Sequence, residues 1–593
     1  MFIREKTLKN KSKSVQIVGS VRDGKKVSQK ILQHIGIAKN DKDLIELKAL
    51  AQQALNFLKA EKKAHTPEQP ILPFMKDFVE QQSYETSVSQ DAKETLTDLE
   101  YEDIVIDGPM QVVERLFQYL GLNRIFSNPK RAMGKVTLLK HVLAASLVFS
   151  SSKRKMARQM NQYMGIETSL ASLYRFTDAL ADNEEKIKQV VKENSQQLLA
   201  STPSLMLFDV TTLYFESSEE VEGALRQKGY SKDGKFKETQ VVLALATTPE
   251  GLPLWYNLYS GKTWEGATFL DFANTWRRAE YPETPGVVVA DSGMFSKINL
   301  SSLEENGLDY VIGARLKNLP QKEQKIFLNM EDYKALNYTD NDGATHEELK
   351  YKVMAYEDGK NLLVVWSSRR AAKDVHDREK LLDRLKKKLN KKDILHGKQL
   401  VNNRGSSRYL KLMEGEELNT YVINEDKIAE DAKWDGLRGV ITRLPLTTKD
   451  EINAVLAHYH SLWRIEESFR IEKTDLKIRP IFHWTDKRIR GHIALKYLTF
   501  AVMRHLQKRL EVQQGESLSI EAIQEALLKI NSVLMRNKKD NKLYRWPKKL
   551  TGIGKKLYKS LGICYSTAPR EIISLNLYRR RRSYKNLADT TDF

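Results

Sequence analysis

Leu205-Met206-Leu207-Phe208-Asp209 and Gly286-Val287-Val288-Val289-Ala290-Asp291 share one pattern, a continuous apolar run that ends in an acid. An unbroken run of this length reads as a strand buried on both faces of a sheet, not as one with a wet face. Each is therefore expected to be a central strand that delivers a carboxylate at its end. Between them, Val241 to Ala246 and Leu254 to Tyr259 flank Pro249-Glu250-Gly251, a hairpin signal, and a helix is expected from about Ala267 to Arg278.

Asp309 to Ala314 supplies a further strand. Three strands in a meander, then helix, strand, helix and strand, predict an α/β fold with a mixed sheet of ribonuclease-H-like order. The first part of that core is expected over residues 204–316. From 317 to 447 the pattern blurs into short strands (Leu362 to Trp366, Tyr421 to Ile423, Gly439 to Thr442) around a charged helix, His376 to Leu389, and predicts a β-rich insertion subdomain. Helical spacing returns from Lys449 to Lys473 and from Ile489 to Leu510, so 448–512 is expected to complete the core.

On the N-terminal side, residues 1–65 read as a hairpin (Val15 to Val21 and Val27 to Ile31 about Asp23-Gly24) and a helix, Asp41 to Lys62. Residues 66–103 mix Pro, Gln, Ser and Thr and read as a linker or arm. Residues 104–203 have helical apolar spacing with Lys153, Arg154, Lys155 and Arg158 as a basic face, and predict a mainly helical DNA-binding region. Residues 513–593 form a basic C-terminal region, with Lys pairs and Arg579 to Arg582 interleaved with Tyr544, Trp546, Tyr558 and Tyr578. That interleaving suits contact with DNA or with a second subunit.

The whole chain has 593 residues, too many for one core, and roughly three to five domains or subdomains are expected. Its 97 Lys+Arg against 77 Asp+Glu leave a formal charge of +20, an excess that points to a polyanionic partner, nucleic acid first. The single cysteine, Cys564, excludes an intrachain disulfide framework and a Cys-rich zinc site, and suits a reducing cytosol. Met1 to Ser14 is basic with no apolar segment after it, and His141 to Phe149 is too short for a membrane span, so a soluble cytoplasmic protein with no membrane partner is expected.

Asp209 and Asp291 are the first residues that suggest chemistry. A carboxylate at the end of a buried strand is costly unless it is paired or binds a cation. Either acid alone would serve as well to cap the next turn. As a pair on neighbouring strands they suit a hard cation such as Mg²⁺. The helix from Tyr459 to Lys473 places Tyr459, Glu466 and Lys473 on one stripe by steps of seven, with Glu467 about 100° away from Glu466. By periodicity alone an amphipathic helix with a Glu466 to Arg470 pair explains the segment equally well.

Other motifs fit poorly. Gly229-Tyr230-Ser231-Lys232-Asp233-Gly234-Lys235-Phe236 has the outline of a phosphate loop but ends in Phe where Ser or Thr is needed, and reads as a surface turn. His458 and His460, two apart on a helix, cannot meet at one metal, and His483 and His492 lack the pattern of a zinc site.

Taken together, Leu207-Phe208-Asp209-Val210-Thr211-Thr212, Val289-Ala290-Asp291-Ser292-Gly293-Met294-Phe295-Ser296, and Tyr-x6-Glu-x6-Lys with Trp-x-Ile-Glu-x-x-Phe resemble the DDE transposases of bacterial insertion sequences. The match is narrower still to the insertion-sequence-four superfamily, cut-and-paste enzymes with a β-rich insertion before the catalytic glutamate. The resemblance covers roughly Leu205 to Arg490. It implies that Asp209, Asp291 and Glu466 are the catalytic, metal-binding triad, with Tyr459 and Lys473 in the signature around the glutamate. That signature has an arginine where this chain has Leu462, and Arg464 or Arg470 is the expected replacement.

Phosphodiester cleavage needs an activated water or 3′-hydroxyl, an in-line leaving oxygen and neutralised phosphoryl charge. Two Mg²⁺ ions about 4 Å apart, with Mn²⁺ able to replace them, meet these needs on three carboxylates. Tyr459, Trp463, Arg464, Arg470 and Lys473 are the expected DNA contacts, Trp463 by stacking. The expected function is a transposase that binds insertion-sequence ends, cleaves them and joins the 3′-hydroxyls to target DNA. It would act as a homodimer or larger assembly in the bacterial cytoplasm, associated with the nucleoid. The alternatives are a ribonuclease-H-like nuclease or resolvase without strand joining, and a non-catalytic DNA-binding descendant.

Overall fold

The computed structural model describes residues 2–7, 13–23, 26–38, 44, 47–48, 51, 98–126, 132–199, 205–231, 234–235, 237–278, 286–339, 345–390, 408–413, 420–515 and 517–572. The chain divides into two compact units, one made of residues 1–176 with 506–593 and the other of residues 177–505.

In the first unit β1 (Phe2–Thr7), β2 (Lys13–Asp23) and β3 (Lys26–Ala38) form an antiparallel sheet. The expected helix from Asp41 to Lys62 lies largely outside the described residues. Most of the expected linker does too, but its end is not a linker: Leu99–Ile106 is strand β4, which pairs antiparallel with residues 531–537. Its sequence, LEYEDIVI, is charged and alternating, and its partner is too distant in sequence to be inferred locally.

The helices that follow are α1 (Gly108–Tyr119), α2 (Met133–Val148), α3 (Lys153–Met164) and α4 (Leu170–Ala181). In α3 the residues Met156, Met160 and Met164 recur every fourth position and are buried, as one face of a helix requires. Lys153 turns inward with them, and burial lowers its pKa to about 8, so the exposed basic face is Arg154, Lys155 and Arg158.

The second unit begins at Thr177, within α4, and continues with α5 (Glu184–Leu199) and a nine-stranded sheet. Strands β5 (Leu205–Tyr214), β6 (Gln240–Thr247) and β7 (Pro253–Ser260) form an antiparallel meander. Helix α6 (Glu265–Arg278) leads to β8 (Val287–Ala290), and α7 (Lys297–Glu305) leads to β9 (Asp309–Ala314). β8 lies parallel to β5, and β9 parallel to β8. The resulting order, β7-β6-β5-β8-β9, is that of a ribonuclease-H-like core.

After α8 (Gln321–Leu328), the insertion supplies β10 (Lys334–Thr339), β11 (Thr345–Tyr356) and β12 (Lys360–Ser367), then the long helix α9 (Ser368–Asn390). A small sheet of β13 (Leu410–Met413) and β14 (Thr420–Ile423), helix α10 (Glu425–Ala432) and β15 (Leu437–Thr442) complete it. β15 pairs with β9, and β12, β11 and β10 follow, all antiparallel, so the inserted strands continue the core sheet.

One sheet face carries an apolar core. Met206, Phe208, Val210, Val288, Ala290, Tyr310 and Ile312 pack there with Phe269 and Phe272 of α6 and Leu300 and Leu303 of α7. The opposite face carries α5 and the helices that return after the insertion, α11 (Lys449–His460) and α12 (Trp463–Arg470), and α13 (Asp486–Gln514) follows them in the chain.

Among the described residues the first unit closes with α14 (Ile520–Lys529), β16 (Asn531–Asn537), β17 (Leu543–Pro547), α15 (Gly552–Leu561) and β18 (Arg570–Glu571). Tyr558, expected at a surface that contacts DNA or a second subunit, is buried and donates a hydrogen bond to Gln111 at 3.0 Å, because it lies on the packed face of α15. Tyr578 and Arg579 to Arg582 lie outside the described residues.

Candidate active site

β5 and β8 run side by side with Leu205 opposite Val287 and Phe208 opposite Ala290. The next residue on each is an acid, so Asp209 and Asp291 leave the paired segment at the same level. Asp209 is not at a strand end, since β5 continues to Tyr214 against β6; only its parallel pairing stops there. Side chains alternate along a strand. Phe208 packs on Phe269 and Phe272 with ring centroids 4.9 and 4.7 Å away, and Asp209 therefore faces the other side, where α12 lies. Asp291 also caps the turn after β8, its Oδ1 accepting from the Ser292 amide at 2.6 Å, as the local reading of a strand-end acid expects.

The third acid arrives from the helices. α11 starts at Thr448, whose hydroxyl accepts from the Glu451 amide while Glu451 reaches back, a reciprocal cap that sets where the helix begins. The helix then breaks at Ser461 and Leu462, and α12 passes into a π-helical turn at Ile471–Asp475. Ile465, Ser468 and Phe469 bury one face of α12, leaving Glu466 exposed on another.

Asp209, Asp291, Glu466 and Tyr459 line one open cleft of about 1410 Å³. Tyr459 feels two of the acids: burial and the charges of Asp291 and Glu466 push its phenol up to about 12, with Arg438 pulling the other way. It is a hydrogen-bond donor at any physiological pH. Trp463 is 39% exposed and also lines the cleft, with the Arg464 guanidinium stacked 3.7 Å from its ring centre.

Arg464, Arg470 and Lys473 are not among the residues that line the cleft. Arg464 and Arg470 turn to Glu467, at 3.9 and 3.8 Å, and Arg504 approaches the same carboxylate at 3.3 Å. Glu467 is thus a structural acid enclosed by arginines, whereas Glu466 faces the cleft.

Sequence reasoning missed the cations of the cleft. Arg315, Lys317, Arg369, Arg370, Lys373, Arg378, Arg408 and Arg438 all line it, contributed by β-strand ends and by α9. Each is an ordinary basic residue in a charged segment, and nothing in its local pattern points inward.

Three carboxylates offer the hard oxygen donors that Mg²⁺ or Mn²⁺ prefers, with no sulfur among them. They do not form a closed cage: among the described residues no three His, Cys, Asp or Glu side chains are gathered closely enough to hold a metal.

Residues 200–500 match the family model described as Transposase DDE domain, and the chain belongs to that family of transposases. No curated protein sequence matches it. Among solved structures, the piggyBac transposase synaptic complex with hairpin DNA overlays with 8% identity over 70% of each chain and a TM-score of 0.32. The Mos1 transposase paired-end complex with its left transposon end does so with 10% identity over 42% of this chain and 70% of that one, at a TM-score of 0.14. The family assignment rests on the matched residues and not on these overlays.

Proposed function

We propose that the chain is the transposase of an insertion-sequence-four-like element, which binds the element's ends, cleaves them by metal-dependent hydrolysis and joins the 3′-hydroxyl ends to target DNA. The observation that supports this best is that Asp209, Asp291 and Glu466, far apart in the chain, line one cleft whose remaining charge is largely cationic. A divalent ion bound by these acids would activate the attacking hydroxyl and offset phosphoryl charge. The side chains do the rest. Tyr459, which keeps its proton, donates to a phosphate oxygen near Asp291. Trp463, with Arg464 behind it, offers a ring face to an unpaired base. Arg154, Lys155 and Arg158 on α3 contact flanking phosphates, and two ends require at least two copies of the chain.

The test is incubation of the purified protein with a plasmid carrying the DNA that flanks the coding sequence, in Mg²⁺, Mn²⁺ or EDTA. Cleavage at the flanks with metal, followed by joined products, is expected. Cleavage that never proceeds to joining selects the nuclease or resolvase reading. Cleavage in EDTA would sink the metal-dependent one.

A further inference from the structure

The cations of the cleft fall into two groups. Arg378 is held by Asp435 through two hydrogen bonds of 2.6 Å, Arg370 by Asp374 at 2.9 Å, and Lys317 and Arg408 by Asp431 at 3.0 and 3.6 Å. These pairs build the wall. Arg315, Arg369, Lys373 and Arg438 have no carboxylate partner among the described residues; Arg315 makes only a long bond, 3.4 Å, to the Gly293 carbonyl.

Arg315 and Arg438 are also placed together. β15 pairs antiparallel with β9, the ladder closes with Gly439 opposite Ala314, and Arg438 and Arg315 are the next residue on either side of that pair. Arg315 follows the carboxyl end of β9 and Arg438 lies near the start of the antiparallel β15, so both stand at the edge of the sheet at which Asp291 leaves β8. Like charges directly opposite on neighbouring strands are destabilising. An anion held between them removes that cost.

The position of Arg438 is fixed from behind. Asp374 of α9 accepts the Gly436 amide at 3.1 Å, and the Arg378 pair holds Asp435, so the turn that opens β15 is tied to α9. Gly436 has φ +83, a conformation that favours glycine. Position 462 on the helical side of the cleft is leucine, and Arg464 and Arg470 are turned to Glu467.

We propose that Arg315 and Arg438 form a guanidinium clamp for one DNA phosphate beside Asp291, supplying from the sheet the cation that the helix lacks at Leu462. The proposal rests on reading the chain as a DNA-cleaving transposase. Guanidinium matches phosphate because its planar fork donates two parallel hydrogen bonds to two oxygens. Arg369 and Lys373, four apart on α9, extend the unpaired charge along the insertion.

The test uses full-length protein and fluorescein-labelled duplexes cut from the DNA on either side of the coding sequence. Binding is titrated in Ca²⁺ at several salt concentrations, and cleavage is followed in Mg²⁺. R438Q and R315Q, both at exposed positions, are expected to melt with the parent. Each should lower the slope of log K against log salt by about 1 and slow cleavage by roughly 10²–10³-fold. R438K should regain the slope and part of the rate. A methylphosphonate at the gripped phosphate should slow the parent as much as R438Q does and add nothing in R438Q. Unchanged slope and rate in both Gln variants overturn the clamp. A parent protein that binds duplex without cutting it removes the catalytic reading, while the slope still judges the clamp. A parent that binds no duplex overturns both.

Discussion

The hydroxyl of Tyr459 lies 2.5 Å from the point where a β-carbon on Gly313 would stand, and the Ser292 amide nitrogen lies 2.9 Å from it. Bare backbone at residue 313 is thus what lets the phenol of α11 lie across β9 beside Asp291. Gly313→Ala should cost about 1–3 kcal/mol, the usual range for overpacking a filled site, and should reduce cleavage by displacing Tyr459. The double variant Gly313→Ala, Tyr459→Phe isolates the cause. If it melts no closer to Tyr459→Phe alone than Gly313→Ala melts to the parent, the hydroxyl is not what excludes the methyl.

Asp209→Asn, Asp291→Asn and Glu466→Gln remove charge while keeping shape. Each should lower plasmid cleavage by at least about 10³-fold in Mg²⁺, since loss of a single positioned charge-stabilising group already costs 10²–10³. Thermal unfolding should change little, because Asp291 and Glu466 are exposed and Asp209 is only half-buried. A variant that cleaves like the parent removes that residue from the proposed triad.

Arg504 is buried and donates to the carbonyls of Gly251 and Glu250 at 2.9 and 3.3 Å and to Glu467 at 3.3 Å. It ties the β6–β7 turn to the helix that carries Glu466. Arg504→Ala should cost about 2–4 kcal/mol in urea denaturation, because it strands two carbonyls and loosens an acid. Arg504→Lys should recover less than half of this, since an ammonium cannot span the same fork. A loss below about 1 kcal/mol would show that the turn is held by other contacts.

Glu472, in the π-helical turn, is buried with no hydrogen-bond partner for Oε2, and burial raises its pKa to about 8 against a smaller opposing effect of Lys473. The folded state keeps this proton where the unfolded chain has lost it. The stability it supports is therefore full below the ordinary value of 4.5 and declines as pH rises through about 8. Glu472→Gln, which mimics the protonated form, should flatten that decline. Parallel melting-temperature profiles for the two proteins between about pH 5 and pH 8.5 would contradict it.

The strand order of the core was legible because buried strands appear as unbroken apolar runs, and Asp209 and Asp291 stand out by interrupting that pattern. Glu466 was separable from Glu467 only by the stripe it shares with Tyr459, and the structure puts Glu466 in the cleft and Glu467 among arginines. Lys153 and Tyr558 were misread for one reason: a basic or aromatic residue in a charged segment carries no local sign of which way it faces. β4 was missed because its strand partner begins at Asn531.

By itself the sequence located the core strands and the two acids that interrupt them, since backbone periodicity and the cost of burying a charge act over a few residues at a time. The tertiary structure decided which cations meet those acids. Arg315 and Arg438 become neighbours only through the antiparallel register of β9 and β15, after the inserted strands and α9 have joined the sheet between them in the chain. Whether an arginine spends its charge on a partner such as Asp435 or leaves it for a ligand is set by which distant carboxylate the fold brings within hydrogen-bond reach, a quantity that no local pattern contains.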